Sequence, residues 1–189
     1  PENLILRYRS DEVESHFRFE NLSTLRLFKI NAGVNLDYAM YRNRTLQKAF
    51  AHNQATEYNY RTDMGVFKWG VFGTVSYEMD NGRFSTSLGM RLDANNYSSR
   101  MNNPLKQFSP RLSYNLWGDV WVNGSIGRYY QLPAYTTMGY KENNVLVNKY
   151  NGLTYIRSDQ AVAGLEYRLG RDARVTVEGF YKKYDHAPL

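Results

Sequence analysis

The sequence predicts an all-β chain: an antiparallel up-and-down meander of about eight long strands, forming part of a large transmembrane β-barrel. Three observations predict it. Apolar and polar residues alternate over stretches too long for ordinary soluble strands. Tight and long connections take turns along the chain. The residues assigned to the inner face are too polar and too bulky for a narrow, filled barrel.

The clearest alternation is "LFKINAGVNLDYAM" at 27–40. Phe28, Ile30, Ala32, Val34, Leu36, Tyr38 and Met40 share one face, and Lys29, Asn31, Gly33, Asn35 and Asp37 share the other. In 67–80, Phe67, Trp69, Val71, Val75, Tyr77 and Met79 oppose Lys68, Gly70, Thr74, Ser76, Glu78 and Asp80, with Phe72 the exception. Asn81-Gly82, two residues that tolerate positive φ, predicts a tight hairpin into 83–94. Further strands are expected at 14–21, 107–116, 119–130, 158–168 and 174–184, and no segment carries a sustained helical period. Tight turns are expected near Asn21–Thr24, Asn81-Gly82, Trp117–Asp119 and Gly170–Asp172. Long connections are expected near 42–61, 96–106 and 131–157. Every second connection is long, so the long loops gather at one end of the sheet, as in transmembrane barrels. A Greek-key sandwich would mix the two kinds.

Length decides between a soluble core and lipid. Soluble strands run about 5–6 residues. A bilayer is crossed in about 9–11 tilted residues, and 28–40 extends for roughly 40 Å at the usual rise. Aromatic residues stand where strands would leave the hydrocarbon: Tyr38 and Tyr41, Tyr58 and Tyr60, Tyr114 and Trp117, Tyr181 and Tyr184, expected as two girdles. The opposite face carries Lys29, Asn35, Asp37, Lys68, Glu78, Arg91, Asp93 and Arg111. That set would overfill an eight-stranded interior but suits a wide, wet lumen. "PENLILRYRSDE" opens on no separate domain, and "YKKYDHAPL" brings no terminal aromatic strand, so 1–189 is expected to be a partial barrel domain of a longer chain.

Composition narrows the partners. The net charge is +6 and 15% of residues are aromatic, with 17 tyrosines and no cysteine. Disulfide frameworks and thiolate metal sites are thereby excluded. The cations are scattered singly, without the basic block or stripe that nucleic-acid binding calls for. His16, His52 and His186 lack metal-ligand spacing, and no serine sits in a nucleophile elbow. No catalytic residue, metal ligand or cofactor is therefore expected. For ligand binding the candidates are Tyr129, Tyr130, Gln131, Tyr135 and Tyr140, around Pro133 at the base of the longest connection, with Asn143 and Asn144 as further amides. Phenol rings and amides there would stack on a ligand and bond its edges. Arg91, Asp93 and Arg111 are the lumen-facing candidates.

Two stretches carry a family resemblance. "FSPRLSYNLWGDVWVNGSIGRYYQLPAYTTMGY" (108–140) and "GLEYRLGRDARVTVEGFYKKY" (164–184) resemble the barrel of TonB-dependent outer-membrane receptors of the Bacteroidetes type. The resemblance rests on Ser109-Pro110-Arg111 entering one strand, Gly127-Arg128-Tyr129-Tyr130-Gln131-Leu132-Pro133 leaving another, and Gly164-Leu165-Glu166-Tyr167 with its hairpin to Tyr181. It implies a barrel of about 22 strands around a plug, in the bacterial outer membrane. The implied function is import of a scarce ligand of the siderophore, cobalamin, glycan or peptide class. The implied partners are outer-membrane lipid, the plug domain, TonB and the ligand, with Arg91, Asp93 and Arg111 holding the plug. Plug and TonB box lie outside 1–189. Two alternatives remain: a self-contained eight-stranded barrel with a structural or adhesive role, and a soluble β-sheet binding protein.

Overall fold

The structure, a computed structural model, describes residues 4–51, 54–170 and 173–187. In chain order the elements are β1 (Leu6–Leu25), β2 (Phe28–Ala51), β3 (Gln54–Glu78), β4 (Phe84–Asn95), β5 (Leu105–Trp117), β6 (Val120–Gln131), α1 (Tyr135–Met138), β7 (Lys141–Glu142), β8 (Val145–Leu146), α2 (Val147–Tyr150), β9 (Ile156–Leu169) and β10 (Ala173–Asp185). One eight-stranded sheet runs β1-β2-β3-β4-β5-β6-β9-β10, each strand antiparallel to its neighbours, and β7 and β8 form a separate hairpin. This is the expected meander. Among the described residues β1 pairs only with β2 and β10 only with β9, so the sheet is an open half-barrel. Closure into a self-contained eight-stranded barrel would need β10 against β1, and that pairing is not made.

Register fixes the faces. Phe17, Leu36 and Trp69 lie side by side on β1, β2 and β3, as do Phe19, Val34 and Val71. Leu88 follows Val75 on β4, and Leu165 pairs Val177 on β10. Most of these outward side chains are exposed (Phe17 58%, Val71 46% and Val177 71%), while Val34 and Trp69 are half-buried. At the tight-turn end Phe28, Tyr77, Phe84 and Tyr114 form a continuous aromatic row across β2 to β5, with ring centroids 5.2, 6.2 and 6.4 Å apart. The concave face carries the polar alternation and the buried residues.

Turn chemistry explains the tight end. Gly82 (φ +66°) closes the β3–β4 turn with its N–H on Met79 O, and Gly118 (φ +50°) sits between β5 and β6. The Asn115 amide donates to Gly118 O and Val120 O at 2.8 and 3.2 Å, pinning a register shift in β5. The turn expected at Asn21–Thr24 falls instead at Arg26-Leu27, with Arg26 at φ +52°, because β1 keeps pairing through Leu25. Of the Gly170–Asp172 turn, Gly170 has φ +67° and residues 171–172 lie outside the described residues.

The segment 42–61, expected as a loop, is an extension of β2 and β3, which reach 24 and 25 residues against 12 in β4. Only residues 52 and 53, at its tip, lie outside the description. Alternation persists there, but its buried face holds Tyr41, Asn43 and Thr45 rather than aliphatic residues. For the same reason Tyr41 (1% exposed) is no girdle residue. Tyr58 and Tyr60 share the concave side with buried Thr62 and Met64, and Tyr184 pairs with Ser158 on that side. Tyr38, Tyr114, Trp117 and Tyr181 do lie on the convex side, strongly exposed. The two helices are four residues each, one turn, too short to leave a period in the sequence.

Candidate functional site

The lumen wall is built by register. His16, Asp37, Lys68 and Asn95 stand opposite one another in a single row across β1 to β4. The Lys68 ammonium pairs with Glu14 and donates to the Tyr135 hydroxyl at 3.1 Å. One step toward the turns, Arg91 Nε donates to Asp93 Oδ2 at 2.6 Å, and the Gln107 amide donates to the same carboxylate oxygen. With its amide oriented to satisfy both ends, Asn35 accepts two further bonds from Arg91 at 3.0 Å. Gly70 makes this possible: a Cβ there would come within 2.9 Å of Arg91 Nη2. Phe72, the apolar exception on this face, lies under the guanidinium groups of Arg18 at 4.5 Å and Arg91 at 5.9 Å, a cation–π arrangement.

The connections 96–104 and 132–155 roof the upper part of this wall. Pro133 ends the β6 exit, α1 follows, and the Asn143-Asn144 pair (φ +48° and +63°) makes the tight β7–β8 turn. Those two amides are thus turn formers. The roof is docked, not draped. Thr62 Oγ1 donates to Gly139 O at 2.5 Å, the Tyr97 hydroxyl to Met138 O at 2.7 Å, and the Asn95 amide to the Tyr155 hydroxyl at 2.6 Å. Tyr41, Met64, Val66, Tyr97, Met101, Met138 and Tyr155 form one buried cluster beneath it. Burial pushes the Tyr97 phenol up to about 12 and raises those of Tyr135 and Tyr155, so all three remain neutral phenols.

Beneath the roof opens a cleft of about 300 Å³ lined by Asp37, Lys68, Trp69, Arg91, Asp93, Ala94, Gln107, Tyr130 and Tyr155. It brings Tyr130, Arg91 and Asp93 together. Tyr130 also packs on the buried cluster, and its N–H donates to Gln107 Oε1 at 3.3 Å. Tyr135 borders the cleft through Lys68 and lies 6.2 Å from the Tyr41 ring. Tyr129 lines an adjoining concavity of about 220 Å³ with Phe72, Arg91 and Gln107. Gln131 is exposed at the end of β6, paired with Ile156, and Tyr140 packs edge-on against Tyr60 at 5.7 Å; neither lines the cleft. Arg111 lines a separate concavity of about 500 Å³ toward the turn end, with Lys29, Glu78, Ser113 and Glu178.

Lys68, Asp37, Gln107 and Tyr155 join the site without a motif to announce them. For Asp37, Lys68 and Gln107 the only trace in the sequence is strand parity, and Tyr155, at the end of the 132–155 connection, leaves none. His16 likewise gains neighbours through register: its Nδ1 is 2.8 Å from Asp37 Oδ1 and 3.8 Å from Glu14 Oε1. One ligand-type atom from each of the three lies within 4.8 Å of the others. With Lys68 already paired with Glu14, the arrangement is a polar network of hydrogen bonds and one Lys–Glu ion pair along the wall.

Comparison with known proteins agrees with this geometry. The chain is similar in structure to the copper transporter OprC, with a TM-score of 0.68 at 17% identity over 94% of this chain. It spans 30% of the length of that protein. No curated protein sequence matches the chain. The profile described as "TonB dependent receptor-like, beta-barrel" matches residues 4–188. With nearly every residue inside that match, the chain belongs to the TonB-dependent receptor-like β-barrel family.

Proposed function

We propose that these residues form part of the barrel wall of a TonB-dependent importer in the bacterial outer membrane, and that the roofed cleft contacts the imported ligand. The observation that carries the reading is the division of one sheet into an apolar convex face and a charged concave face under a docked roof. In an importer the first belongs against lipid and the second along the ligand's path. The longer receptor would add the remaining strands, a plug and a TonB-contacting segment. Arg111, with Lys29, Glu78 and Glu178, suits plug contact, since that concavity lies toward the turn end and away from the roof.

The cleft favours one kind of cargo. Lys68 and Arg91 are each matched by a carboxylate, Glu14 and Asp93, and Asp37 adds another. No net positive field is left for a strongly anionic chelate. Gln107, Tyr130 and Tyr155 supply donors, acceptors and ring faces. A neutral or zwitterionic ligand rich in hydrogen-bonding groups, a glycan or a peptide, fits best.

Uptake by cells carrying the full-length receptor tests this. Gln107→Leu with Tyr130→Phe, which keeps the ring on the buried cluster, should lower ligand affinity by about tenfold, as loss of two such contacts implies. Gln131→Leu, outside the cleft, should leave affinity unchanged. Equal effects of the two variants, or accumulation independent of TonB, would overturn the proposal.

A further inference from the structure

On the convex face the apolar band ends at Val13, Met40 and Gly65, side by side on β1, β2 and β3. The next outward row is Asp11, Arg42 and Asp63, and the row beyond it is Arg9, Arg44 and Arg61. Arg42 has a carboxylate partner, Asp63 at 3.5 Å. Among the described residues no carboxylate pairs with Arg9, Arg44 or Arg61, and all three are exposed. Like charges directly opposite on neighbouring strands repel, and Arg44 has an arginine on each side. Left alone, this row works against the sheet. An anion seated between the guanidinium groups reverses the sign.

A concavity of about 260 Å³ lies there, lined by Arg9, Asp11, Arg42, Asn43, Arg44 and Arg61, large enough for a phosphate group. We propose that Arg9, Arg44 and Arg61 clamp the phosphorylated headgroup of an outer-leaflet lipid. Planar guanidinium forks match phosphate oxygens two at a time. Position selects the lipid as source. The row stands on the convex side, away from the ligand's path, and directly above the band that includes Phe17, Val34 and Leu36, along which acyl chains would continue. Basic residues at the edge of an apolar surface attract anionic headgroups for this reason. The inference rests on the convex face lying in lipid.

The test uses the full-length receptor in zwitterionic detergent, titrated with diphosphorylated lipid A and read by native mass spectrometry. The receptor should retain the lipid, and Arg9→Gln/Arg44→Gln/Arg61→Gln should bind it at least tenfold more weakly. Arg26→Gln/Arg83→Gln/Arg174→Gln, which removes the same charge at the tight-turn end, should bind as the unaltered protein does. Dephosphorylated lipid A should not distinguish the two variants. A second readout separates binding from folding: Arg44→Gln should raise the thermal midpoint without lipid, by relieving repulsion, and lower it with lipid A present. Retention unchanged in the first variant, or lost equally in both, would overturn the proposal. So would inorganic phosphate protecting the receptor as well as lipid A does, which would assign the row to a free anion. Exposure of Val34 to lipid is measured independently, so failure of the clamp and failure of the orientation are distinguishable.

Discussion

Single residues on this sheet are governed by which face they occupy. Val71 and Thr74 lie three apart on β3, on the convex and concave faces respectively. Val71→Arg should destabilise the refolded full-length barrel by about 2–4 kcal/mol near the bilayer midplane, and Thr74→Arg by about 1 kcal/mol or less. Denaturant titration of both variants in the same vesicles checks this, and equal losses would mean the faces are misassigned. Gly70 illustrates the concave side. Its missing side chain is the space that the Arg91–Asp93 pair occupies. Gly70→Val should cost about 1–3 kcal/mol through overpacking and weaken ligand binding, whereas Gly73→Ala, with only Asn31 O at 3.8 Å, should be mild.

At the scale of elements, the roof acts as one unit held by a few buried hydrogen bonds. Tyr97→Phe removes the bond to Met138 O and should loosen the roof by about 0.5–1.5 kcal/mol. The Tyr97 phenol is raised to about 12 from an ordinary value near 10, so its neutral form is the one the docked state favours. Its contribution is therefore complete below about pH 10 and lost as pH rises toward 12. A spin label at Tyr150, 78% exposed, should gain mobility across that window, and the step should shrink in Tyr97→Phe. Elements also mark how far the sequence is legible. Strand 28–40 is readable because aliphatic and polar residues alternate without a break. The continuation through Arg42-Asn43-Arg44-Thr45 is not, because both faces are polar there and Asn43 and Thr45 are buried by hydrogen bonding to each other and to Tyr41. The cleft was half legible. Parity places Arg91 and Asp93 on the inner face, but only cross-strand register and the inward fold of the 132–155 connection bring Lys68, Gln107, Tyr130 and Tyr155 to them.

The whole molecule is a curved wall with two open edges. Among the described residues the outer sides of β1 and β10 have no pairing strand, and unpaired backbone groups are costly in lipid and template pairing with other strands. The 189 residues refolded alone in detergent should therefore associate, giving species larger than the 22.1 kDa monomer by light scattering, while the full-length receptor should not. The central claim is that the convex face of this wall lies in lipid and the concave face lines a wet lumen. Spin labels placed one at a time at residues 30–37 of the full-length receptor in vesicles test it most directly, read with lipid-soluble oxygen and a water-soluble nickel chelate. The account predicts oxygen access at Ile30, Ala32, Val34 and Leu36 and chelate access at Asn31, Gly33, Asn35 and Asp37, alternating at every step. Access by the chelate at Val34 and Leu36, or no alternation at all, would contradict it.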